Sequence, residues 1–302
     1  MIILLLVKLL EIYYWNMKGD REGLKKVVLV GDFSLESQHF GCHLTSQTFR
    51  EQFLRVGLDL IASLPINLDS ISSYKMILGE ADLVVINGEG AIHNGRYKEI
   101  INLSSEYPCV LVNCVYQNNP LNENLKRFKL VSSRESLSAE ALALNGINVS
   151  VTPDVVFAST YLRSFKPQNS IKNKKTGFTD CAKKSEFRFG PFCLKYRLGY
   201  SPKAHSLYSY LNFLYSHEKI AVGRLHAAVC CSVMGIPFST WESNTWKMKG
   251  LMLDMGIPEL HYSNRRDALD NIPKEIPGTI IDYAITAKKK VESLFDKMAL
   301  LA

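Results

Sequence analysis

The sequence predicts an α/β protein of two doubly wound domains, and three observations carry that prediction. Apolar strand-like runs alternate with helical segments from residue 27 to 157, and a second β-α-β-α unit fills residues 219–256. A chain of 302 residues, 47% hydrophobic, also has enough apolar material for two separate cores.

The first strand is expected at 27–30, four apolar residues ending at Gly31-Asp32, as a buried parallel strand feeding a ligand-facing loop would. A polar loop leads to a helix over 42–56 with Leu44, Phe49, Phe53 and Val56 as its buried stripe. A short strand at 59–63 and a helix at 70–78 follow, then a strong strand at 81–86 that opens into Asn87-Gly88-Glu89-Gly90. Gly88-x-Gly90 is half of a dinucleotide fingerprint, but its third glycine is misplaced and Glu89 would repel a pyrophosphate. These glycines instead let the backbone approach another ligand or the facing domain, with Glu89 placed to accept hydrogen bonds from hydroxyls. Helices at 97–104 and 121–128 and strands at 109–115 and 130–132 continue the alternation. Ser133-Arg134-Glu135-Ser136 then opens a helix that Gly146 ends, and a strand at 149–151 runs into Thr152-Pro153-Asp154. Within the second domain, 176–179 reads as a strand ending at Asp180, 208–217 as a helix, and 286–300 as a final helix with Val291, Leu294, Phe295 and Met298 on one face. The expected division is an N-terminal extension (1–26), a first domain (27–160), a second domain (161–285) and a C-terminal helix (286–302).

The 219–256 unit is the chemically informative stretch. A strand at 220–222 precedes Gly223-Arg224-Leu225-His226 and a buried helix stopped by Gly235. A strand at 236–240 precedes Glu242-Ser243-Asn244-Thr245 and a helix over 246–255. In parallel units ligands sit where strand carboxyl ends meet helix N-termini, so Arg224, His226, Ser243, Asn244 and Lys247 should converge on one crevice. Helix N-termini and two full positive charges there favour an anion, phosphate or carboxylate. His226 can move a proton near neutral pH. The competing reading has Arg224 pairing with a carboxylate and His226 capping its helix. Asp32 is open to a catalytic role or a turn-capping one, and Arg134 is another cation at a strand's carboxyl edge.

Seven cysteines at 42, 109, 114, 181, 193, 230 and 231 form no C-x-x-C and several lie in apolar runs, as reduced buried thiols do. His39, Cys42 and His43 lack the second ligand cluster a metal site needs, so no metal is expected. The net charge is +7, and residues 163–203 alone hold eleven Lys/Arg against two acids. No nucleic-acid recognition module accompanies that basic segment, so no nucleic acid is expected; a solvated loop or a surface facing an anionic lipid or phosphorylated substrate fits it as well. The apolar N-terminus is interrupted at Lys8 and Glu11, too short to span a bilayer, and no signal-peptidase site follows. It reads as a helix lying on a membrane surface, implying peripheral contact, or as sequence upstream of a start at Met17. The expected location is the cytoplasm, at the inner face of the cell membrane if the extension binds lipid.

Six stretches resemble one family, the polysaccharide pyruvyl transferases: GDFSLESQHFGCH (31–43), ADLVVINGEGAIHN (81–94), SSRESLSAEALALNGINVSVTPDVVFAS (132–159), GFTD (177–180), AVGRLHAAVCCSVMGIPF (221–238) and SNTWKMKGLMLDMGI (243–257). The resemblance implies two Rossmann-like domains facing a cleft, the GT-B-like glycosyltransferase architecture. It implies transfer of a pyruvyl group from phosphoenolpyruvate onto sugar hydroxyls as a ketal during synthesis of bacterial surface polysaccharides. The acceptor would be a saccharide or a lipid-linked oligosaccharide, and no cofactor would be needed. By the same resemblance His226 is the general acid/base, Arg224 grips phosphate or carboxylate bidentately, and Lys247 and Arg134 add charge to that anion. Glu89 and Asp32 would serve the sugar side. Trp246 stands where many relatives carry a polar residue or histidine, and an exposed indole there would stack on a sugar face. Two alternatives remain on the sequence: a nucleotide-sugar glycosyltransferase on the same fold, with Glu242 nearest to a ribose partner, and a catalytically silent scaffold in polysaccharide assembly.

Overall fold

A computed structural model describes residues 23–35, 39–66, 71–89, 92–96, 98–167, 174–181 and 206–302. The N-terminal extension to residue 22, Gly90 and most of the basic segment lie outside the described residues.

Runs of Val, Leu and Ile with no polar alternation form strands buried on both faces. In the first domain these are β1 (Lys25–Val30), β2 (Leu58–Leu64), β3 (Leu83–Asn87), β5 (Cys109–Cys114), β7 (Leu130–Ser133) and β8 (Ser150–Val151), with helices α1 (Phe40–Arg55), α2 (Ile71–Gly79) and α3 (Ser136–Ala143). They make one parallel sheet in the order β2-β1-β3-β5-β7-β8. Two short strands, β4 (Ile92–His93) and β6 (Tyr116–Gln117), pair separately beyond the carboxyl ends of β3 and β5. The second domain holds β9 (Lys174–Cys181), α4 (Leu207–Tyr215), β10 (His217–Gly223), α5 (Leu225–Met234), β11 (Phe238–Trp241), α6 (Lys247–Asp254), β12 (His261–Tyr262) and α7 (Arg265–Asp270). Its parallel sheet runs β12-β11-β10-β9.

The last helix, α8 (Gly278–Leu301), corrects the expected boundary. Residues 280–285, which read in the sequence as a weak strand or the start of a helix, lie in its first two turns: Ile280 and Ala284 are buried there against the second-domain core of Val222, Ala228 and Met252. Val291, Leu294, Phe295 and Met298 pack instead with Val27, Leu29, Phe49 and Phe53 of the first domain. One helix of 24 residues thus ties the two cores together, and α1 does the same, with Phe40 and Leu44 in one core and Phe49 and Phe53 in the other. The 97–104 and 121–128 expectations are 3-10 turns, Lys98–Ser105 and Glu123–Arg127. The helix expected over 208–217 stops at Tyr215, and His217 already belongs to β10.

Candidate active site

The carboxyl ends of both sheets bring one cluster of charged side chains together. From the first sheet come Glu89 after β3, Arg134 after β7 and Asp154 after β8; from the second come Asp180 near the end of β9, Arg224 and His226 after β10, and Asn244 and Lys247 after β11. Two sheets feeding one crevice follow from parallel topology, which aligns the loops of each sheet on one edge.

His226 is the hub. It is the second residue of α5, its ring is buried, and its Nε2 lies 3.2 Å from Thr45 Oγ1, 3.4 Å from Glu89 Oε1 and 3.5 Å from Asp154 Oδ2. The opposite edge of the ring rests on α1 at Gly41. A Cβ added there would lie 2.7 Å from the imidazole Cγ and closer still to Nδ1, so only glycine admits the ring in this place. Thr45 one turn further along α1 completes the seat, a consequence of the helix's three-to-four-residue repeat.

Asp154 is fully buried, and both its oxygens are engaged. Oδ2 accepts from Arg134 Nη1 at 3.0 Å and Oδ1 from the Val156 N–H at 3.0 Å. Burial opposes its ionisation, but His226, Arg134 and the Val156 amide outweigh that and hold the carboxyl down at about 2. Arg134 is buried as well, and its Nε has no hydrogen-bond partner among the described residues.

Arg224 pairs with a carboxylate of its own domain. Both Nε (2.9 Å) and Nη2 (2.5 Å) donate to one oxygen of Asp180, because β9 pairs in parallel with β10 and sets Asp180 beside Arg224. This is the carboxylate pairing raised as the competing reading. The other Asp180 oxygen is buried without a hydrogen-bond partner among the described residues. Lys247 gives Nζ to Asn244 Oδ1 at 2.9 Å, and Ser243 Oγ donates to the same oxygen at 3.3 Å, so these three residues form one turn. Burial and the charges of Arg134 and Arg224 pull the Lys247 ammonium down to about 7, with Glu89 opposing them. Burial, then the charges of Arg224, His226 and Lys247, push the α1 capping residue His39 down to about 3, keeping it neutral.

Three more residues find partners within the protein. Gly88 is required by its own sheet: a Cβ there would lie 2.8 Å from the Cys114 Cα on neighbouring β5. Asp32 caps a turn; its carboxylate accepts from the Ser34 amide and hydroxyl, Ser46 Oγ and Arg50, an arrangement that outweighs burial and lowers its pKa. Trp246 is half-buried; its indole N–H donates to Ser138 Oγ at 3.3 Å and its amide to Gln117 Oε1 at 3.0 Å, both in the first domain. Asp154, Asp180, Thr45 and Gly41 were not singled out by the sequence as site residues. The two aspartates carried a usable signal, Asp180 ending the strand expected at 176–179 and Asp154 following the one expected at 149–151. Among the described residues no group of three or more His, Cys, Asp or Glu side chains is arranged to hold a metal ion, and no helix is long and apolar enough to cross a membrane.

The sequence model of the family described as polysaccharide pyruvyl transferase matches residues 25–240. The chain belongs to the polysaccharide pyruvyl transferase family. The match takes in Glu89, Arg134, Asp154, Asp180, Arg224 and His226 and ends before the Ser243–Lys247 turn. No curated protein sequence matches the chain. Among solved structures it is similar to an uncharacterised protein from Klebsiella pneumoniae, with a TM-score of 0.54 and 14% identity over 80% of this chain and 92% of that one. It is also similar to a putative UDP-N-acetylglucosamine 2-epimerase from Listeria monocytogenes, with a TM-score of 0.51 and 12% identity over 93% of this chain and 92% of that one. At such identities these likenesses speak to fold alone, and the fold is α/β with two parallel-sheet domains in a GT-B-like arrangement.

Proposed function

We propose that the protein transfers the pyruvyl group of phosphoenolpyruvate to two hydroxyls of a saccharide, forming a ketal. The observation that carries this reading is His226, seated by Gly41 and Thr45 with Nε2 facing Glu89 and Asp154, inside a group of three cations. Phosphoenolpyruvate presents a phosphate and a carboxylate on the same carbon, and a cluster of two guanidinium groups and an ammonium suits such a ligand. Arg134, with a buried donor to spare, and Lys247 are the groups that would meet the anion first. Arg224 serves through its pair with Asp180, or by exchanging that carboxylate for the ligand's.

In the reaction so read, protonated His226 gives its Nε2 proton to the enol methylene, which becomes a methyl group. The neighbouring carbon acquires oxocarbenium character, and one sugar hydroxyl adds to it while returning its proton to the imidazole. The C–O bond to phosphate then breaks, a second hydroxyl closes the ketal, and its proton leaves with phosphate. The buried, ionised Asp154 stabilises the imidazolium without taking part in proton transfer, and the cations stabilise charge gathering on phosphate. Glu89 lies 3.4 Å from the same nitrogen and would orient an acceptor hydroxyl. The likeness to a putative epimerase adds no substrate to this account.

His226→Ala should abolish phosphate release from phosphoenolpyruvate in the presence of an acceptor saccharide while leaving the circular dichroism spectrum and the unfolding transition in place. Turnover at the wild-type rate in that variant would remove His226 from the chemistry.

A further inference from the structure

The two cations that would meet the anion first stand on different domains, Arg134 after β7 and Lys247 at the start of α6. They repel each other, so something must hold them at working distance. The residues immediately beside them form a junction. Ser138, fully buried, uses all of its hydrogen-bonding capacity: its hydroxyl donates to Glu135 Oε1 and accepts from the Tyr116 N–H at 2.9 Å and the Trp246 indole N–H at 3.3 Å. Glu135, the neighbour of Arg134, also caps α3 by accepting the Ser138 N–H at 3.0 Å. Trp246, the neighbour of Lys247, gives its amide to Gln117 at 3.0 Å.

Two further contacts press α6 onto the same spot. Gly250 faces Glu135 so closely that an added Cβ would lie 2.9 Å from the carboxyl carbon. Asp254, at the end of α6, accepts the Ser136 N–H at 3.0 Å, so a carboxylate of the second domain completes the N-terminus of a first-domain helix. The Trp246, Gly250 and Asp254 contacts join α6 and its N-cap to α3 or to β6 beside it, and each involves a residue close along the chain to a site cation.

We infer that Ser138 and Trp246 are positioning residues that fix Lys247 against Arg134 and so build the anion site across the domain boundary. The inference rests on the reading of that site as the phosphoenolpyruvate site. Loosening the junction would let the two cations drift apart, and a bound dianion would have to draw them together again at the expense of its own affinity. The chemical step, centred on His226 and its own seat on α1, would then proceed at nearly its normal rate once the ligand is bound.

The test compares wild type with Ser138→Ala and the milder Trp246→Phe, which keeps the ring and loses only one hydrogen bond. Phosphate release gives KM and kcat for phosphoenolpyruvate; small-angle scattering gives the radius of gyration with and without millimolar phosphoenolpyruvate. The expected result is a KM raised about tenfold in Ser138→Ala and about threefold in Trp246→Phe, with kcat within about twofold of wild type. The radius of gyration of each variant should exceed that of wild type and contract on adding ligand. A lowered unfolding temperature with unchanged KM and unchanged scattering would show a merely structural role and overturn the inference, as would a fall in kcat with KM unaltered. If wild type turns over no phosphoenolpyruvate, the proposed reaction fails, and the scattering of the variants without ligand still decides whether the junction sets the domain separation.

Discussion

Gly41→Ala isolates the placement of one imidazole ring. Gly41 is the second residue of α1, and in a helix alanine is favoured over glycine by about 1 kcal/mol, so the backbone has no objection to the change. The methyl group, however, would sit 2.7 Å from His226 Cγ and nearer still to Nδ1. To regain ordinary van der Waals separation the ring must retreat by about 1.3 Å or more. That displacement shifts Nε2 out of its place among Thr45, Glu89 and Asp154, now 3.2–3.5 Å from it. A misplacement of this size at a reacting group costs roughly 100-fold in rate, whereas the overpacking itself costs about 1–3 kcal/mol, partly offset by helix propensity. The expected variant is therefore folded, binds phosphoenolpyruvate within a few-fold of wild type and releases phosphate about 100 times more slowly. Calorimetric binding beside a coupled phosphate assay reads both numbers. A folded Gly41→Ala protein with turnover within about threefold of wild type would mean that the position of this ring does not govern the reaction.

Two further outcomes follow from the site's electrostatics and packing. With its ammonium lowered to about 7, Lys247 loses its charge as pH rises through neutrality, so affinity for phosphoenolpyruvate should be highest below pH 7 and fall by up to about tenfold per unit above it. The ligand's own second phosphate ionisation, near pH 6, is largely complete by then. Titration calorimetry at several pH values in wild type and Lys247→Met checks this, and an equal slope in the two proteins would contradict it. Gly223→Ala would place a methyl 2.7 Å from the Asp180 carbonyl oxygen, 2.8 Å from Cε2 of the buried Trp241 ring and closer still to its Cζ2. Thermal unfolding should report a loss of about 1–3 kcal/mol, and an unchanged transition would show that β9 and β11 yield more easily than their packing suggests.

The fold was legible wherever burial on both faces made a strand an unbroken apolar run, as at Val27, Val110 and Val222, all fully buried. The crevice was legible for a related reason: Arg134, Arg224, His226 and Lys247 each lie past the carboxyl end of a strand, and parallel topology sends all such positions to one edge. What a residue faces across space was not legible. Gly88 announced a close approach but not that Cys114 makes it, and Arg224 announced a charge but not that Asp180 takes it. Trp246 had the composition of a sugar platform, yet its indole N–H is committed to Ser138 across the domain boundary. Two-residue strands such as Ile92–His93 and Tyr116–Gln117 are too short to carry any periodicity. The start of α8 was obscured because Ile280 and Ala284 pack into one core and Val291 and Phe295 into another, which spreads the apolar stripe over two faces.

The most direct measurement is thermal unfolding of the purified protein with millimolar phosphoenolpyruvate, beside a panel of nucleotide sugars, in wild type and in Arg134→Ala. A ligand at about 100 times its Kd stabilises the folded state by roughly 2.7 kcal/mol, which for a chain of this size raises Tm by roughly 5 °C. Pyruvyl transfer at this site predicts that rise with phosphoenolpyruvate in wild type, its loss in Arg134→Ala, and no comparable shift with any nucleotide sugar. Stabilisation by a nucleotide sugar and none by phosphoenolpyruvate would contradict it and turn the same crevice into a glycosyl-transfer site.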